Sequence, residues 1–336
     1  MAFVLRAVFA ASVAARALAS CAYGTHLFPR AEEGAVEINT FGYAGTVGPL
    51  NWASLDGGEA NVLCATGTRQ SPIDMVDGSF QMVPASDLRL EIADMPEGTE
   101  FENLGTTVEV VGRGGSLEVA GKTYEFQQFH FHLPSEHLDN GTSVALEMHM
   151  VWESPEKDVA VIGVFVDLDA GQAPPPAKRS VVPHGRPGHS LRRGLRRRQE
   201  ASGEAAAVEE GFGGVQGFLT MPIVRPAATP SSLLETVFSQ VEEIATPGSS
   251  VKTAPLVMSE LVNTLLQGSF QSYSGSLTTP PCSEGVLWLI PTQKLQIRTA
   301  TFEKVRSVIG FNARYPQNTP GEPNLLDIAA TRAARR

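Results

Sequence analysis

Beyond its first residues this chain has no run approaching the roughly 18 consecutive apolar residues that a bilayer-spanning helix requires. No transmembrane segment is therefore expected there. Positive charge is short as well: 26 Lys and Arg stand against 36 Asp and Glu, a formal net charge of -10 at pH 7. That balance argues against a nucleic-acid partner, because phosphate binding needs clustered Lys and Arg on the folded surface. Internal repeats are absent. Cysteine is scarce, with only Cys21, Cys64 and Cys282 in 336 residues. The length allows one large domain or two average ones, and 42% apolar with 18% charged residues suits a globular protein with a substantial core.

Residues 1–19 combine Arg6, the apolar stretch Ala7 to Ala15, interrupted afterwards by Arg16, and the small-residue pattern Ala17-Leu18-Ala19. This reads as a secretory signal peptide, cleaved after residue 19 or as late as 22, and predicts a secreted, extracellular protein. An ordinary N-terminal helix and a lipoprotein cleavage box at Leu18-Ala19-Ser20-Cys21 are the alternative readings. Cys21 falls in the expected cleavage region, which leaves Cys64 and Cys282 as a pair. In an oxidising compartment they can close a disulfide; two buried free thiols are the alternative.

From Phe41 to about Leu168, short apolar and β-branched runs such as Thr107 to Val111, Ser116 to Val119 and Val159 to Val166 alternate with Gly, Pro, Asp and Asn. These predict many short strands joined by turns. Leu233, Leu234, Val237, Val241 and Ile244 recur at helical spacing after Thr229-Pro230-Ser231 and predict a helix over 231–244. Shorter helices are expected at 259–266 and 301–309, and strands again between Phe270 and Leu289. Residues 178–198 hold eight Lys and Arg and no Asp or Glu. Such a stretch cannot bury enough apolar surface to offset its ordering entropy, so 172–216 reads as a disordered insertion. A basic tether and a gene-model artefact remain as alternatives.

The chemistry concentrates in Gln128-Phe129-His130-Phe131-His132-Leu133-Pro134-Ser135-Glu136-His137 and Leu146-Glu147-Met148-His149-Met150-Val151-Trp152. On a strand, residues i and i+2 share a face, so His130 and His132 project together while Phe129 and Phe131 face the other way. Glu147, His149 and Val151 share a face by the same rule. If the two strands are neighbours, His149 completes a three-nitrogen site with a fourth position open, the pattern of catalytic rather than structural zinc. A His-x-His pair alone is also compatible with a chance surface pair. Here, however, four histidines fall within 20 residues beside two carboxylates, Glu136 and Glu147, in otherwise apolar sequence. Buried carboxylates need partners, and orienting metal-bound imidazoles is a common role for them. His137 lies outside both alternations and is read as a carboxylate's partner rather than a ligand.

These strings, with Ser276-Leu277-Thr278-Thr279-Pro280-Pro281, Tyr43, Gly48-Pro49, Trp52, Gln70-Ser71-Pro72-Ile73 after Cys64, and Glu284 to Trp288 after Cys282, resemble the alpha-class carbonic anhydrase family. The resemblance runs from about Phe41 to Leu326. It implies a mainly β fold with peripheral helices, a single domain at 35–330 built on a large twisted, mostly antiparallel sheet and broken by the insertion. It also implies one zinc ion on His130, His132 and His149, which hydrates carbon dioxide reversibly to bicarbonate and a proton through attack by zinc-bound hydroxide, with ester hydrolysis as a side activity. Carbon dioxide, bicarbonate and water are then its partners; protein partners are not indicated. By the same carry-over Thr278 and Glu136 are catalytic. Gln128, Glu147 and His137 support the ligands, and Val151, Val161, Leu277, Thr279 and Trp288 line the substrate pocket. The proton path passes Tyr43 and Thr106, where many relatives place a shuttle histidine; Thr106 does not titrate near neutral pH. Glu109, on the same strand, reads as a solvated carboxylate, with a poor proton relay as the alternative. The competing readings are a catalytically silent protein on this fold and a zinc hydrolase of esters.

Overall fold

Period-two alternation between turn residues governs most of the chain, and the strands follow it. The computed structural model describes residues 22–30, 36–169 and 229–335, all within one compact unit. The leader expected at 1–19 and the insertion expected at 172–216 lie outside the described residues.

In chain order the strands are β1 (Asp74–Met75), β2 (Gln81–Pro84), β3 (Arg89–Ile92), β4 (Glu100–Asn103), β5 (Val108–Val111), β6 (Gly115–Val119) and β7 (Lys122–His132). There follow β8 (Leu138–Asp139), β9 (Leu146–Glu153), β10 (Val159–Leu168), β11 (Ser250–Lys252), β12 (Ser269–Ser276), β13 (Glu284–Pro291) and β14 (Leu295–Ile297). The helices are α1 (Leu63–Thr66), α2 (Ser232–Phe238), α3 (Met258–Leu265), α4 (Thr299–Ile309) and α5 (Leu325–Ala334).

Twelve strands form one sheet whose central order is β11-β4-β5-β7-β9-β10-β13-β12-β2, with β6 beside β7, β3 beside β6 and β14 beside β10. Only β10–β13 and β10–β14 run parallel in it. The expectation of a mainly β fold on a large, mostly antiparallel sheet therefore holds.

The sheet buries both of its faces. On one, Phe129, Phe131, Met148, Met150 and Trp152 meet Leu233, Val237 and Phe238 of α2, Leu261 and Leu265 of α3 and Val305 of α4 in one apolar cluster. On the other, Val151, Val161, Leu277 and Trp288 belong to a second cluster. The alternation at β7 and β9 thus separates core side chains from site side chains one residue at a time.

The helix expected over 231–244 is shorter than its apolar pattern. Ser231 caps α2 by accepting the Leu234 N–H, but the Ser239 hydroxyl donates to the Thr236 carbonyl at 2.7 Å, and the chain leaves helical geometry at Gln240. Val241 and Ile244 reach the core from a separate 3-10 turn. A side-chain bond to the backbone has displaced the next helical one. α5, with no buried residue, carried no periodic signal.

Cys64 at α1 and Cys282 ahead of β13 are joined as a disulfide across a sequence separation of 218. They are buried with Phe41 and Trp52. Replacing both by alanine is expected to lower stability by about 5 kcal/mol in the chain-entropy account of a loop this long. The urea midpoint of the double variant checks it, and an unchanged midpoint contradicts it.

Candidate metal centre

Strands β7 and β9 pair antiparallel with His130 directly opposite His149 and His132 opposite Glu147. Opposite residues share a sheet face, so the two alternations bring the three imidazoles together. Their ligand-capable nitrogens lie within 4.8 Å of one another, and all three rings are fully buried. The ring centroids of His132 and His149 are 4.5 Å apart.

Each ring is fixed by a bond to one nitrogen. Nδ1 of His130 meets Oε1 of Gln128 at 2.9 Å, Nδ1 of His132 meets the Asn312 carbonyl at 2.8 Å, and Nε2 of His149 meets Oε1 of Glu147 at 3.0 Å. Since these acceptors require a donor, the bonded nitrogens carry the protons. The opposite nitrogens of His132 and His149, Nε2 and Nδ1, are buried without any hydrogen-bond partner. Such atoms are costly unless something binds them. Three neutral imidazoles with one nitrogen each gathered within 4.8 Å suit zinc, and His130, His132 and His149 fit that ion by donor chemistry and spacing.

Burial pushes all three imidazoles below their ordinary pKa, His132 to about 3, and the neighbouring imidazoles push His130 and His132 further. They are therefore kept neutral, the state that ligates metal. The second buried group, His137 with Glu147 and His149, does not present itself in this way. Nδ1 of His137 meets Oε1 of Glu147 at 2.7 Å and its Nε2 meets the Tyr273 hydroxyl at 2.6 Å, so both ring nitrogens are in use.

Glu147 takes four bonds. Oε2 accepts the backbone N–H groups of Glu136 and His137 at 2.9 and 2.8 Å, and Oε1 meets the rings of His137 and His149. Burial works to raise its pKa, but the two imidazoles prevail and hold it well below the carboxylate range. Glu136 goes the other way. Burial raises it well above the usual range against the Arg314 N–H, which donates to Oε1 at 2.8 Å, and the Thr278 side-chain bond.

The remaining residues singled out in the sequence are placed as follows. Val151, Val161, Leu277, Trp288 and Thr279 are all at most 1% exposed. The Tyr43 ring stands edge-on to His132 at 6.5 Å, and Thr106 accepts from Asn39 Nδ2 at 2.5 Å. Glu109 requires correction. It is not solvated but fully buried opposite His130, and Arg30 pairs with it. Burial lifts its pKa to about 8 despite that arginine.

Three supporting residues carried no pattern in the sequence. Asn312 offers its carbonyl to His132, its Oδ1 to the Leu133 N–H at 2.6 Å and its Nδ2 to the carbonyls of Phe131 and Thr106. Arg314, 1% exposed, donates to the carbonyls of Ser71 and Cys64 and to Gln70 Oε1. Tyr273 joins His137 to Ser71. Asn312 and Arg314 sit in irregular backbone between α4 and α5, where no periodicity marks an inward side chain. The usable signal was polar residues beside Phe311 and Ala313.

In the metal-free protein His130, His132 and His149 are expected to titrate below the ordinary imidazole value of about 6.5, so that each is mainly neutral at that pH. Ring 15N shifts followed through a pH titration check this; a midpoint near 6.5 for any of the three contradicts it.

The family described as "Eukaryotic-type carbonic anhydrase" matches residues 48–178 and 200–320. A carbonic anhydrase of Nostoc sp. is 30% identical over 286 residues, covering 84% of this chain and 82% of that protein. The solved fungal alpha carbonic anhydrase from Aspergillus oryzae superposes with a TM-score of 0.67 at 32% identity, over 87% of this chain and 99% of that one. Dioscorin, solved with ascorbate, covers 85% of this chain and 96% of its own at 19% identity and a TM-score of 0.58, a likeness of fold alone.

Proposed function

This chain belongs to the eukaryotic-type carbonic anhydrase family, and from that premise we propose that it is a zinc lyase that hydrates carbon dioxide reversibly to bicarbonate and a proton. The observation that carries the reading is the convergence of three buried, neutral imidazoles whose outward nitrogens have been fixed by Gln128, Asn312 and Glu147. Zinc held by His130, His132 and His149 would supply Lewis acidity, lowering the pKa of water to about 7, a figure established for carbonic anhydrase itself.

The chain's own residues do the rest. Thr278 bonds Glu136, and with its hydroxyl donating to that carboxylate its oxygen would accept a hydrogen bond from the nucleophilic water and so orient a lone pair toward the substrate. The positive charge of a bound ion favours the ionised form of Glu136 against the burial that raises its pKa. Val151, Val161, Leu277 and Trp288 give carbon dioxide an apolar wall, and Thr279 lines the polar side. Glu147, His137 and Gln128 hold ring orientation.

We read residues 35–330 as one catalytic domain with an insertion at 172–216. Secretion fits the Cys64–Cys282 disulfide, since such bonds persist in oxidising compartments. Among the described residues no helix is long and apolar enough to cross a membrane.

His149→Ala is expected to lose zinc and carbon dioxide hydration together. Thr278→Val is expected to keep zinc and lose about a hundredfold or more in turnover, the scale of a positioned proton-transfer group. Metal analysis beside a hydration assay checks both. Hydration without zinc contradicts the mechanism, zinc without hydration supports a silent protein, and ester cleavage without hydration supports an esterase.

Thr106 bonds Asn39 and carries no titratable proton near neutrality. Turnover is therefore expected to rise with added imidazole buffer until another step limits. Stopped-flow hydration across a buffer series checks it, and a flat response contradicts it.

A further inference from the structure

The metal-side face of the sheet is not open. Glu102 on β4 stands opposite Glu109 on β5, Glu109 opposite His130 on β7, and His130 opposite His149 on β9. These four residues form one cross-strand row on one face. Arg30 donates to both ends of the acidic half of that row, Nη1 to Glu102 at 3.2 Å and Nη2 to Glu109. Its guanidinium therefore lies over the strand next to His130. Glu153, four residues beyond His149 and on the same face of β9, is about 13 Å along the strand. Its Oε1 accepts the backbone N–H of His26 at 2.9 Å and also meets the His26 ring.

The segment 22–30 thus has one hold on β4 and β5 and another at the end of β9, with β7 and its ligands between them. Ala22, Tyr23 and Phe28 are buried in the same apolar cluster as Val151, Val161, Leu277 and Trp288. Val151, Leu277 and Thr279 are 0% exposed and Val161 and Trp288 1%.

The segment is itself a closed loop. Gly24 donates to the Phe28 carbonyl at 2.8 Å, the Thr25 hydroxyl to the Ala22 carbonyl at 2.7 Å, and Arg30 lies over the Tyr23 ring at 4.9 Å. Gly24 has φ +89, which a side chain rarely adopts, and a Cβ there would meet Arg30 Nε at 3.3 Å. The turn and the arginine latch are built together.

We propose that residues Ala22–Arg30 form a strap across the mouth of the metal site, latched by Arg30, that restricts the site to very small ligands and must lift for larger ones. This rests on the reading of His130, His132 and His149 as a zinc site. Carbon dioxide is small enough to pass a partly lifted strap, whereas an aromatic ester or an aromatic chelator is not. Arg30, Tyr23 and Phe28 thereby determine specificity by size, and none of them touches the reacting atoms.

The test uses the full-length, zinc-loaded protein and pyridine-2,6-dicarboxylate as the probe. In the unaltered protein the rate of zinc loss is expected to level off at high chelator, because strap opening becomes limiting. Arg30→Ala and, separately, Phe28→Ala are expected to raise that plateau about tenfold, the effect of a tenfold larger open population. Both are also expected to raise 4-nitrophenyl ester cleavage relative to carbon dioxide hydration. A zinc-loss rate that rises linearly with chelator in the unaltered protein overturns the strap, and this needs no variant to fold. So does an unchanged plateau in folded variants. A purified chain that holds no zinc overturns the metal reading instead.

Discussion

The carboxylate of Glu147 is the fixed point of this structure. It is fully buried, and each oxygen takes two bonds: two backbone N–H groups from the turn after β7 on one, two imidazoles on the other. A buried charge is tolerable only when paired and hydrogen-bonded, and here every lone pair has a use. The same group orients His149, fixes the backbone that carries Glu136 and anchors His137.

From there the order propagates outward through polar contacts. His137 passes it to Tyr273, Tyr273 to the Ser71 hydroxyl, and Ser71 to the backbone of Ser276 at 3.0 Å, two residues before Thr278. Gly163 on β10 is part of the same arrangement, because a Cβ there would meet Glu147 Oε1 and Ile290 at 2.8 Å. Arg314 closes the circuit from the other side. Its backbone holds Glu136 while its guanidinium holds the Cys64 and Gln70 stretch near the disulfide. His149, His137, Glu147, Glu136 and Arg314 are therefore members of one buried polar system rather than independent side chains on a sheet.

The sequence disclosed whatever obeyed a period. Phe129 and Phe131 against His130 and His132 reveal faces because a strand alternates, and the same holds for Met148 and Met150 against His149. Irregular backbone carries no such rule, so Asn312 and Arg314 stayed hidden although one holds the His132 ring and the other the Glu136 carboxylate. Glu109 misled for a related reason: a carboxylate on a strand reads as solvated unless its cation is visible, and Arg30 lies 79 residues away in the chain. The strap was unreadable because Tyr23 and Phe28 are isolated apolar residues in a short turn, buried only by a face formed much later in the sequence.

Asp169 donates to the Ile297 carbonyl at 2.8 Å and Ser231 to the Gln296 carbonyl at 2.8 Å, so the chain leaves and re-enters the sheet at adjacent residues of β14. Closing a flexible loop between two ends held this close costs only about 0.6 kcal/mol for each doubling of its length. That edge is a natural splice point for protein engineering. A reporter domain or an immobilisation tag whose own termini are adjacent can be grafted between residues 169 and 231, beside β14, which lies two strands from His149 on β9 and three from His130 and His132 on β7.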